Sequence, residues 1–325
     1  MQKLLEVKQL KVHFQLKRGL LKAYEVVHAV DGVTFDVYEG ETLGIVGESG
    51  CGKSSLARSL VGLNDISAGE VIFGTGKRLD KADSKEWHEL RKYIQFIFQD
   101  PVASLNPRLT IAEIIAEPLH IYSPHLTKTE IMAKVIAMMQ LVGLTVNQIN
   151  HYPLELSGGQ CQRVGIARAL ILNPKLIICD ESVSALDVSI KAQIINLLKD
   201  LQRKLNLTII FISHDLSVVK HICDRVLVMY LGNIMELATK ENLYKNSHHP
   251  YTRALLSSVP IANPTLERQK VVHLLEGELP SSITPPVGCV FSSRCPLVDN
   301  SCCQARPQLR FMEDGTLVAC FKAGN

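Results

Sequence analysis

The chain has 325 residues, of which 46% are hydrophobic, so it can bury a core the size of one large or two modest domains, and wholesale disorder is excluded. Its 35 basic and 32 acidic residues nearly balance at a net charge of +3, which leaves no overall field of the kind that drives binding to nucleic acid or anionic lipid. The longest apolar runs, residues 207–212 and 226–231, are far shorter than the roughly 20 residues needed to cross a bilayer.

The N-terminal segment bears on where the chain resides. Residues 1–10 alternate charged and apolar side chains, without a basic stretch followed by an apolar one and without a small-residue cleavage site. We therefore expect the chain to stay in the cytoplasm, where its nine cysteines are reduced or bound to metal.

The first forty residues predict two strands of an antiparallel sheet. Residues 4–14 and 26–37 alternate apolar and polar side chains, as strands with one buried face do. The basic stretch 17–22 between them predicts an inserted loop.

Three short apolar runs follow along the chain. Apolar side chains dominate these runs without alternating with polar ones, at residues 43–46, 176–179 and 208–212. This pattern is typical of parallel strands that are buried on both faces. Because helical stretches separate these runs, the sequence predicts a doubly wound α/β core whose strand ends carry the chemistry.

Two further regions differ from this core. Between Gln99 and Ser157, apolar residues recur at helical spacing and prolines mark turns, which predicts a helical subdomain at about residues 100–172. Beyond about Lys245 the composition changes again, and the last forty residues hold five of the nine cysteines. This clustering indicates a separate C-terminal region.

A glycine-rich segment directly after residues 43–46 matches the loop that binds nucleotide phosphates. Its glycines let backbone N–H groups converge on a phosphate, Lys53 reaches the β- and γ-phosphates, and the Ser54 hydroxyl binds Mg²⁺. Many nucleotidases share this pattern. The candidate nucleotide-binding residues are Gly47, Glu48, Ser49, Gly50, Cys51, Gly52, Lys53, Ser54 and Ser55.

A second motif narrows the choice. The segment Ser157-Gly158-Gly159-Gln160 precedes an apolar strand that ends in Asp180-Glu181, and it resembles the signature sequence of the ATP-binding cassette family. A phosphate loop or an acidic strand end is common by itself, whereas the motifs in this order are rare. The resemblance implies an α/β ATP-binding cassette with an antiparallel β subdomain, a helical subdomain and a small cysteine-rich C-terminal extension.

The resemblance also implies a role for each polar residue at the strand ends. Asp180 would hold Mg²⁺ through water, Glu181 would polarise the hydrolytic water, and His214 would contact the γ-phosphate. Gln99 matches the family's glutamine that touches Mg²⁺ and links the core to the helical subdomain. Asp187 matches the aspartate of a loop that faces the opposing subunit.

The signature segment implies a dimer. In this family the Ser157-Gly158-Gly159 segment offers its backbone amides and a helix N-terminus to the γ-phosphate held by another subunit. Binding energy then closes the two subunits on the triphosphate, and hydrolysis releases them.

Three other positions near the nucleotide site are open to interpretation. The family usually stacks an aromatic residue of the first sheet on adenine, and both Phe14 and Tyr24 are available for this contact. Cys51 in the phosphate loop and Cys161 beside the signature are interpreted as small fillers, and Cys51 is also a candidate for sensitivity to thiol reagents.

The C-terminal cysteines form a candidate metal site. Four thiolates, from Cys289, Cys295, Cys302 and Cys320, suit zinc or an iron–sulfur cluster, but their spacing is not that of paired zinc-ribbon motifs. It resembles the C-terminal extension of oligopeptide and dipeptide importer ATPases, in which four cysteines hold a [4Fe–4S] cluster. Cys303 could replace Cys302, although the family spacing favours Cys302. The alternative is that the four are reduced cysteines packing a small lobe.

Other stretches resemble the same group of importer ATPases, namely residues 99–108, 249–256 and 277–280. Residues 104–108 are most similar to the second, F-type, of the two paired ATPase subunits. The resemblance divides the chain into a cassette at residues 1–245 and an extension at residues 246–325.

What the resemblance implies is a membrane complex that uses ATP and Mg²⁺. The chain would pair with a second, homologous ATPase subunit beneath two permeases, and a separate binding protein would deliver the peptide. It would lie at the cytoplasmic face of the plasma (inner) membrane, held peripherally through the permeases, with no nucleic-acid partner.

Three alternatives to peptide import remain at this point. Importers of nickel or other small solutes share the architecture, since proteins outside this chain choose the cargo. A soluble cassette ATPase acting on DNA or ribosomes is a second alternative, but such proteins usually carry two cassettes or a long coiled-coil insertion. In the third, the cysteine region is a redox sensor that regulates ATP turnover.

Overall fold

The computed structural model describes residues 2–17, 24–74, 76–260, 264–270, 275 and 277–324. Of the predicted inserted loop, residues 18–22 lie outside these ranges. In the described residues the strands are β1 (Lys3–Lys17), β2 (Tyr24–Tyr38), β3 (Thr42–Val46), β4 (Ala68–Phe73), β5 (Lys77–Arg78), β6 (Ile94–Ile97), β7 (Leu176–Asp180), β8 (Thr208–Ile212), β9 (Arg225–Tyr230), β10 (Asn233–Thr239), β11 (Arg310–Phe311) and β12 (Leu317–Val318).

Short and medium-length helices connect these strands, and no helix among the described residues is long and apolar enough to cross a membrane. The α-helices are α1 (Lys53–Ser59), α2 (Ser84–Leu90), α3 (Ile111–Tyr122), α4 (Lys128–Leu141), α5 (Gly158–Leu170), α6 (Val188–Leu205), α7 (Leu216–Ile222), α8 (Lys240–Asn246), α9 (Pro250–Ser257), α10 (Pro264–Gln269) and α11 (Asn300–Gln304). Single 3₁₀ turns occur at Leu79–Lys81, Val146–Asn150, Pro153–Glu155 and Ser292–Arg294.

The chain divides into two compact units. The first contains residues 1–38, 42–81 and 213–325, and the second contains residues 39–41 and 82–212. The domain boundary expected at residue 245 is a different division of the chain and stays a prediction.

The first unit contains the predicted antiparallel sheet. Its strand order is β2-β1-β4-β5, with β1 and β2 paired along nearly their whole length from Lys3↔Tyr38 to Lys17↔Tyr24. Alternate residues of β2, such as Val33, Phe35 and Val37, are buried, because one face of the sheet packs on the core. The alternation read from the sequence therefore predicted this sheet correctly.

The first unit also holds a mixed arrangement of strands around the phosphate loop. Strands β11, β12, β10 and β9 pair antiparallel in that order, and β9 pairs parallel with β3. All five residues of β3 are buried, as the unbroken apolar run predicted. The loop that follows β3 therefore starts from a rigid, fully packed strand.

The second unit combines a parallel sheet with the helical subdomain. Strands β6, β7 and β8 are parallel neighbours, and every residue of β7 and β8 is buried. Helices α3 and α4 both begin with a capping box, in which Thr110 pairs with Glu113 and Thr127 with Glu130. The helices predicted here from the spacing of apolar residues are therefore present, and these caps stabilise their first turns.

The C-terminal region is tied to the N-terminal sheet by an ion-pair network inside the first unit. Asp31 on β2 accepts from Arg306 at 2.8 Å and lies 3.1 Å from the Lys11 ammonium. Burial disfavours the Asp31 carboxylate, but the hydrogen bonds from Arg306 and Lys11 outweigh this and lower its pKa from 3.8 to about 2.

We expect Asp31→Asn to lower the free energy of unfolding by about 1 kcal/mol at pH 7, because it leaves Arg306 half-buried without its counter-ion. Since the folded-state pKa lies below the unfolded value, the wild-type advantage is present above about pH 4 and is lost as the pH falls towards 2. Urea titrations at several pH values measure it. Asp36→Asn, which removes an exposed ion pair with Lys3, is the control and should cost less; equal losses would contradict the assignment.

Candidate nucleotide-binding site

The loop between β3 and α1 has the conformation expected of a phosphate-binding loop. The Lys53 ammonium is buried and donates to the backbone carbonyls of Gly47 at 2.8 Å and Glu48 at 2.9 Å. Gly52 has φ 103°, and a Cβ there would lie 2.0 Å from the Ala29 carbonyl oxygen, so only glycine fits. The backbone of the loop therefore wraps around the Lys53 ammonium.

The remaining loop residues differ in their exposure. Ser49 and Gly50 are exposed at the tip, whereas Ser54 and Ser55 are half-buried in the first turn of α1. Cys51 is fully buried, and burial raises the pKa of its thiol despite the nearby Lys53 ammonium. Burial of this kind lowers the reactivity of a thiol, and the sensitivity of Cys51 to thiol reagents stays a prediction.

His214 lies at the carboxyl end of β3 in the first unit. The Ser213 amide donates to the Ile45 carbonyl at 3.3 Å, and Asp215 caps α7 through its contacts with Ser217 and Val218. The His214 side chain between these two anchored residues is exposed. Its backbone is thus held by its neighbours while the imidazole is accessible.

The second unit brings together Gln99 and Glu181. The Gln99 Nε2 donates to Glu181 Oε2 at 3.1 Å, and the Glu181 amide donates to the Ile212 carbonyl at 3.1 Å. Asp180, the last residue of β7, is 3% exposed. Glu181 itself has φ +47°, a left-handed conformation that a non-glycine residue adopts only at a cost in free energy. Strain of this kind is common at functional sites.

The signature segment forms the start of α5. Ser157 is the N-cap: its hydroxyl accepts from the Gln160 amide at 3.4 Å, and the Gln160 side chain accepts from the Ser157 amide at 2.9 Å. A Cβ on Gly159 would lie 2.5 Å from the Ile190 side chain, so the helix packs closely there. Ser157 and Gly158 are exposed, which leaves the positive end of this 13-residue helix open to an anion.

Asp187 has a local structural role in the second unit. Its carboxylate caps α6 by accepting from the Ile190 amide at 3.0 Å and from the Ser189 hydroxyl at 2.8 Å. The Ile190 amide, followed by the Ser189 hydroxyl, lowers the pKa of Asp187. Its contact with an opposing subunit stays a prediction.

The adenine contact is not decided between the two aromatic candidates. Phe14 and Tyr24 are 37% and 59% exposed, and both lie on the β1–β2 pair. The Lys17 ammonium lies 5.9 Å from the Tyr24 ring centroid. Stacking of adenine on one of the two stays a prediction.

The C-terminal fold gathers the four predicted cysteines. Burial raises the pKa of the Cys289 thiol to about 11, with further contributions from the thiols of Cys302, Cys295 and Cys320. The Cys289 amide also donates to the Cys302 carbonyl at 2.8 Å. Cys302 is buried, whereas the adjacent Cys303 is exposed, and the choice of Cys302 over Cys303 as a ligand stays a prediction.

Backbone amides point at three of these sulfurs. The Lys322 amide donates to Cys320 Sγ at 3.3 Å, and the amides of Phe291 and Leu297 lower the pKa of Cys289 and Cys295, each opposing the larger effect of burial. Amide N–H groups directed at sulfur stabilise thiolates that bind metal. The four cysteine thiols are therefore chemically suited to binding a metal ion or cluster.

The spacing of ligand atoms distinguishes the kinds of metal group. Among the described residues, the one set of three or more His, Cys, Asp or Glu ligand atoms within 4.8 Å of one another is His13, His28 and Asp31. A single tetrahedral zinc ion, with Zn–S distances of about 2.3 Å, places its sulfurs about 3.8 Å apart. No three of the four thiols, all of which the structure describes, have their sulfurs within 4.8 Å of one another, so their placement does not match a closed zinc site.

The His13, His28 and Asp31 set is itself a weak metal site. The His13 Nε2 lies 3.6 Å from Asp31 Oδ1, and the two imidazole rings are 4.3 Å apart. Both Asp31 oxygens already face a cation, Lys11 or Arg306, which would repel a divalent ion. The set gives no ground for a metal there.

Two contacts to the phosphate loop were missed by the sequence analysis. The Glu48 amide donates to the Tyr251 hydroxyl at 2.9 Å, and Arg294 donates to the Glu48 carboxylate at 2.8 Å. Tyr251 lies in residues 249–256, a stretch that resembles importer ATPases, and Arg294 directly precedes Cys295. Neither stretch carries a sequence pattern of a nucleotide contact. No local pattern relates them to a loop that lies some 200 residues earlier.

Comparison with known proteins agrees with this geometry. Residues 30–184 match the ABC transporter family, and residues 235–302 match the family described as oligopeptide/dipeptide transporter, C-terminal region. The chain is 60% identical over 309 residues to the oligopeptide transport ATP-binding protein OppF of Salmonella typhimurium, covering 94% of this chain and 92% of that protein. It is 51% identical over 317 residues to YkfD of Bacillus subtilis, a putative oligopeptide transport ATP-binding protein, covering 98% and 94%.

A solved structure supports the same conclusion. The dimeric ATP-binding cassette MJ0796, in a post-hydrolysis state with ADP and phosphate, has a TM-score of 0.65 and 29% identity, covering 73% of this chain and 98% of that one. The fold class and the family expected from the sequence motifs are both confirmed. The chain belongs to the ATP-binding cassette family, in the group of transporter ATP-binding proteins that carry the oligopeptide/dipeptide C-terminal region.

Proposed function

We propose that this chain is the ATP-hydrolysing subunit of an importer of oligopeptides or dipeptides. The observation that carries the proposal is that one chain contains both matched regions and is similar over nearly its whole length to a protein named for oligopeptide transport. The chain would act at the inner face of the membrane through permease subunits. A binding protein would deliver the peptide to these permeases.

The first unit supplies the phosphate-binding groups. The Lys53 ammonium, now bonded to two loop carbonyls, would exchange them for oxygens of the β- and γ-phosphates. The loop amides converge on the same anion because the glycines leave the backbone uncovered. His214 is exposed at the carboxyl end of β3 and would contact the γ-phosphate.

Mg²⁺ would be held by the Ser54 hydroxyl, by the side-chain oxygen of Gln99 and, through water, by the Asp180 carboxylate, a donor set that suits this hard cation. When bound, it neutralises charge that develops on the phosphates during transfer. Asp180 is buried at a strand end, so its carboxylate is held in one place.

Glu181 is the candidate general base. Its carboxylate accepts from Gln99, which orients it, and its strained backbone holds it at the end of β7. A carboxylate so placed takes a proton from the water that attacks the γ-phosphate.

The signature segment Ser157-Gly158-Gly159 and Gln160 would complete the site of a second ATPase subunit. Its helix N-terminus is open and preorganised by the capping box, which suits an anion presented from outside the chain. We propose that the partner is a homologous second ATPase, so that the working unit is a heterodimer. Exposed Phe98 and Val102, beside Gln99, would receive a cytoplasmic helix of a permease.

Glu181→Gln should retain ATP binding and lower the rate of hydrolysis about 100-fold or more, because the amide cannot accept the proton. The variant should accumulate the closed dimer in the presence of Mg–ATP. Steady-state ATPase assays and size-exclusion chromatography of the assembled complex measure these effects. Glu313→Gln, at an exposed position of the C-terminal region, is the control and should behave as wild type; unchanged turnover in Glu181→Gln refutes the assigned base.

The cargo is tested in the complete transporter. Reconstituted complexes should couple ATP hydrolysis to uptake of labelled di- and oligopeptides, and Glu181→Gln should abolish both. Uptake of nickel ions with no response to peptides would replace peptide import with a small-solute function. Strong binding of the purified chain to nucleic acid would instead favour a soluble cassette ATPase.

We further propose that Cys289, Cys295, Cys302 and Cys320 hold a [4Fe–4S] cluster. The support is the shared neighbourhood of four thiols, of which Cys289, Cys302 and Cys320 are buried. Backbone amides are directed at the sulfurs of Cys289, Cys295 and Cys320. The cluster would cross-link the C-terminal region and neutralise thiolates that burial otherwise disfavours.

Cys302→Ser should lose iron and acid-labile sulfide after anaerobic purification, because it removes one of four ligands. Cys303→Ser is the matched control, one residue away but exposed, and should keep the wild-type content of both. Iron and sulfide analysis with electron paramagnetic resonance of the reduced protein measures the outcome. Wild-type protein without iron would show that these residues are reduced cysteines packing the lobe.

A further inference from the structure

The C-terminal region reaches the phosphate loop at Glu48 in two different ways. Arg294 forms an ion pair with the Glu48 carboxylate at 2.8 Å, and the Tyr251 hydroxyl accepts from the Glu48 amide at 2.9 Å. All three residues belong to the first unit. The C-terminal region therefore binds both the side chain and the backbone of Glu48.

The Arg294 side chain is well placed to act on the loop. It is 8% exposed, its guanidinium lies 5.9 Å from the Tyr230 ring centroid, and it also donates to the Tyr230 hydroxyl at 3.4 Å. It lies in the 3₁₀ turn Ser292–Arg294, directly before Cys295. The fold of the cysteine region therefore determines where this charge lies.

Tyr251 is equally constrained. It is fully buried, and its ring packs against Tyr230 and Phe291 with centroids 4.8 and 5.4 Å away. Burial raises the pKa of Tyr251, so its hydroxyl is neutral at physiological pH. A rigid aromatic cluster thus presents a fixed acceptor to the Glu48 amide.

Electrostatics gives these contacts a consequence for nucleotide binding. Glu48 directly follows Gly47, in a loop that must receive a polyphosphate anion, and its own carbonyl is one of the two that hold the Lys53 ammonium. An unpaired carboxylate at this position would repel the anion. A loosened Glu48 backbone would also displace the carbonyl that positions Lys53.

We propose that Arg294 and Tyr251 are positioning residues for the phosphate loop: Arg294 neutralises Glu48, and Tyr251 holds its backbone, so that the loop binds ATP. This inference rests on the proposed ATP-binding role of residues 47–55. The C-terminal region is attached separately through Arg306 and Asp31, which do not touch the loop, so its attachment does not require the Glu48 contacts.

The test measures the dissociation constant of a fluorescent ATP analogue on the full-length chain. Arg294→Gln should weaken binding about tenfold, because it leaves a carboxylate unpaired beside the phosphates, and Arg294→Lys should restore part of the affinity. Tyr251→Phe should weaken binding about threefold. In the assembled complex, Arg294→Gln should raise the KM for ATP and leave kcat at saturating ATP nearly unchanged.

A double-mutant cycle separates positioning from general damage. Glu48→Gln removes the repelling charge, so adding Arg294→Gln in that background should change the affinity by less than about twofold. Arg310→Gln is the control, because this arginine of the same region contacts the Ala323 carbonyl and not the loop. It should bind ATP as wild type does, and thermal unfolding confirms that each variant is folded.

Three outcomes overturn the inference. Wild-type affinity in Arg294→Gln shows that the ion pair does not matter for binding. An equal loss with and without Glu48→Gln shows that Arg294 acts on the fold and not through Glu48. If the folded wild-type chain does not bind ATP, both this inference and the proposed function are wrong. If Lys53→Ala abolishes ATP binding but Arg294→Gln does not weaken it, only this inference is wrong.

Discussion

A buried ammonium group sets the geometry on which nucleotide binding depends. Lys53 is almost fully removed from solvent, and a charge in that position must be compensated by polar groups. The carbonyls of Gly47 and Glu48 provide this compensation, which bends the chain around the lysine. The bend brings Gly52 against the Ala29 carbonyl so closely that no side chain fits. The buried ammonium and the close approach at Gly52 together account for much of the shape of this loop.

The second unit prepares its functional groups by local hydrogen bonding. A capping box opens α5 at Ser157, and Asp187 caps α6, so local hydrogen bonds order both exposed helix starts. Glu181 differs, since it is held in an unfavourable backbone conformation. The strain is sustained because Glu181 follows a fully buried strand and contacts both Ile212 and Gln99.

The C-terminal region makes polar contacts with two other parts of the first unit. It contacts the N-terminal sheet through Arg306 and Asp31, and it contacts the phosphate loop through Arg294 and Tyr251. Between these contacts it gathers four thiols, and backbone amides face the sulfurs of three of them, Cys289, Cys295 and Cys320. Arg294 directly precedes Cys295, so the chain itself connects the cysteine region to the residue that pairs with Glu48.

The sequence by itself determined the family, the fold class, the two long N-terminal strands and three of the buried strands. The β3 strand, the α5 cap and the phosphate loop are encoded within a few residues by burial pattern, capping and glycine content, so they can be read locally. Only the tertiary structure decided which distant groups meet. Arg294 and Glu48 are 246 positions apart, and their pairing depends on how the C-terminal chain returns to the core, which no local hydrogen bond or periodicity records.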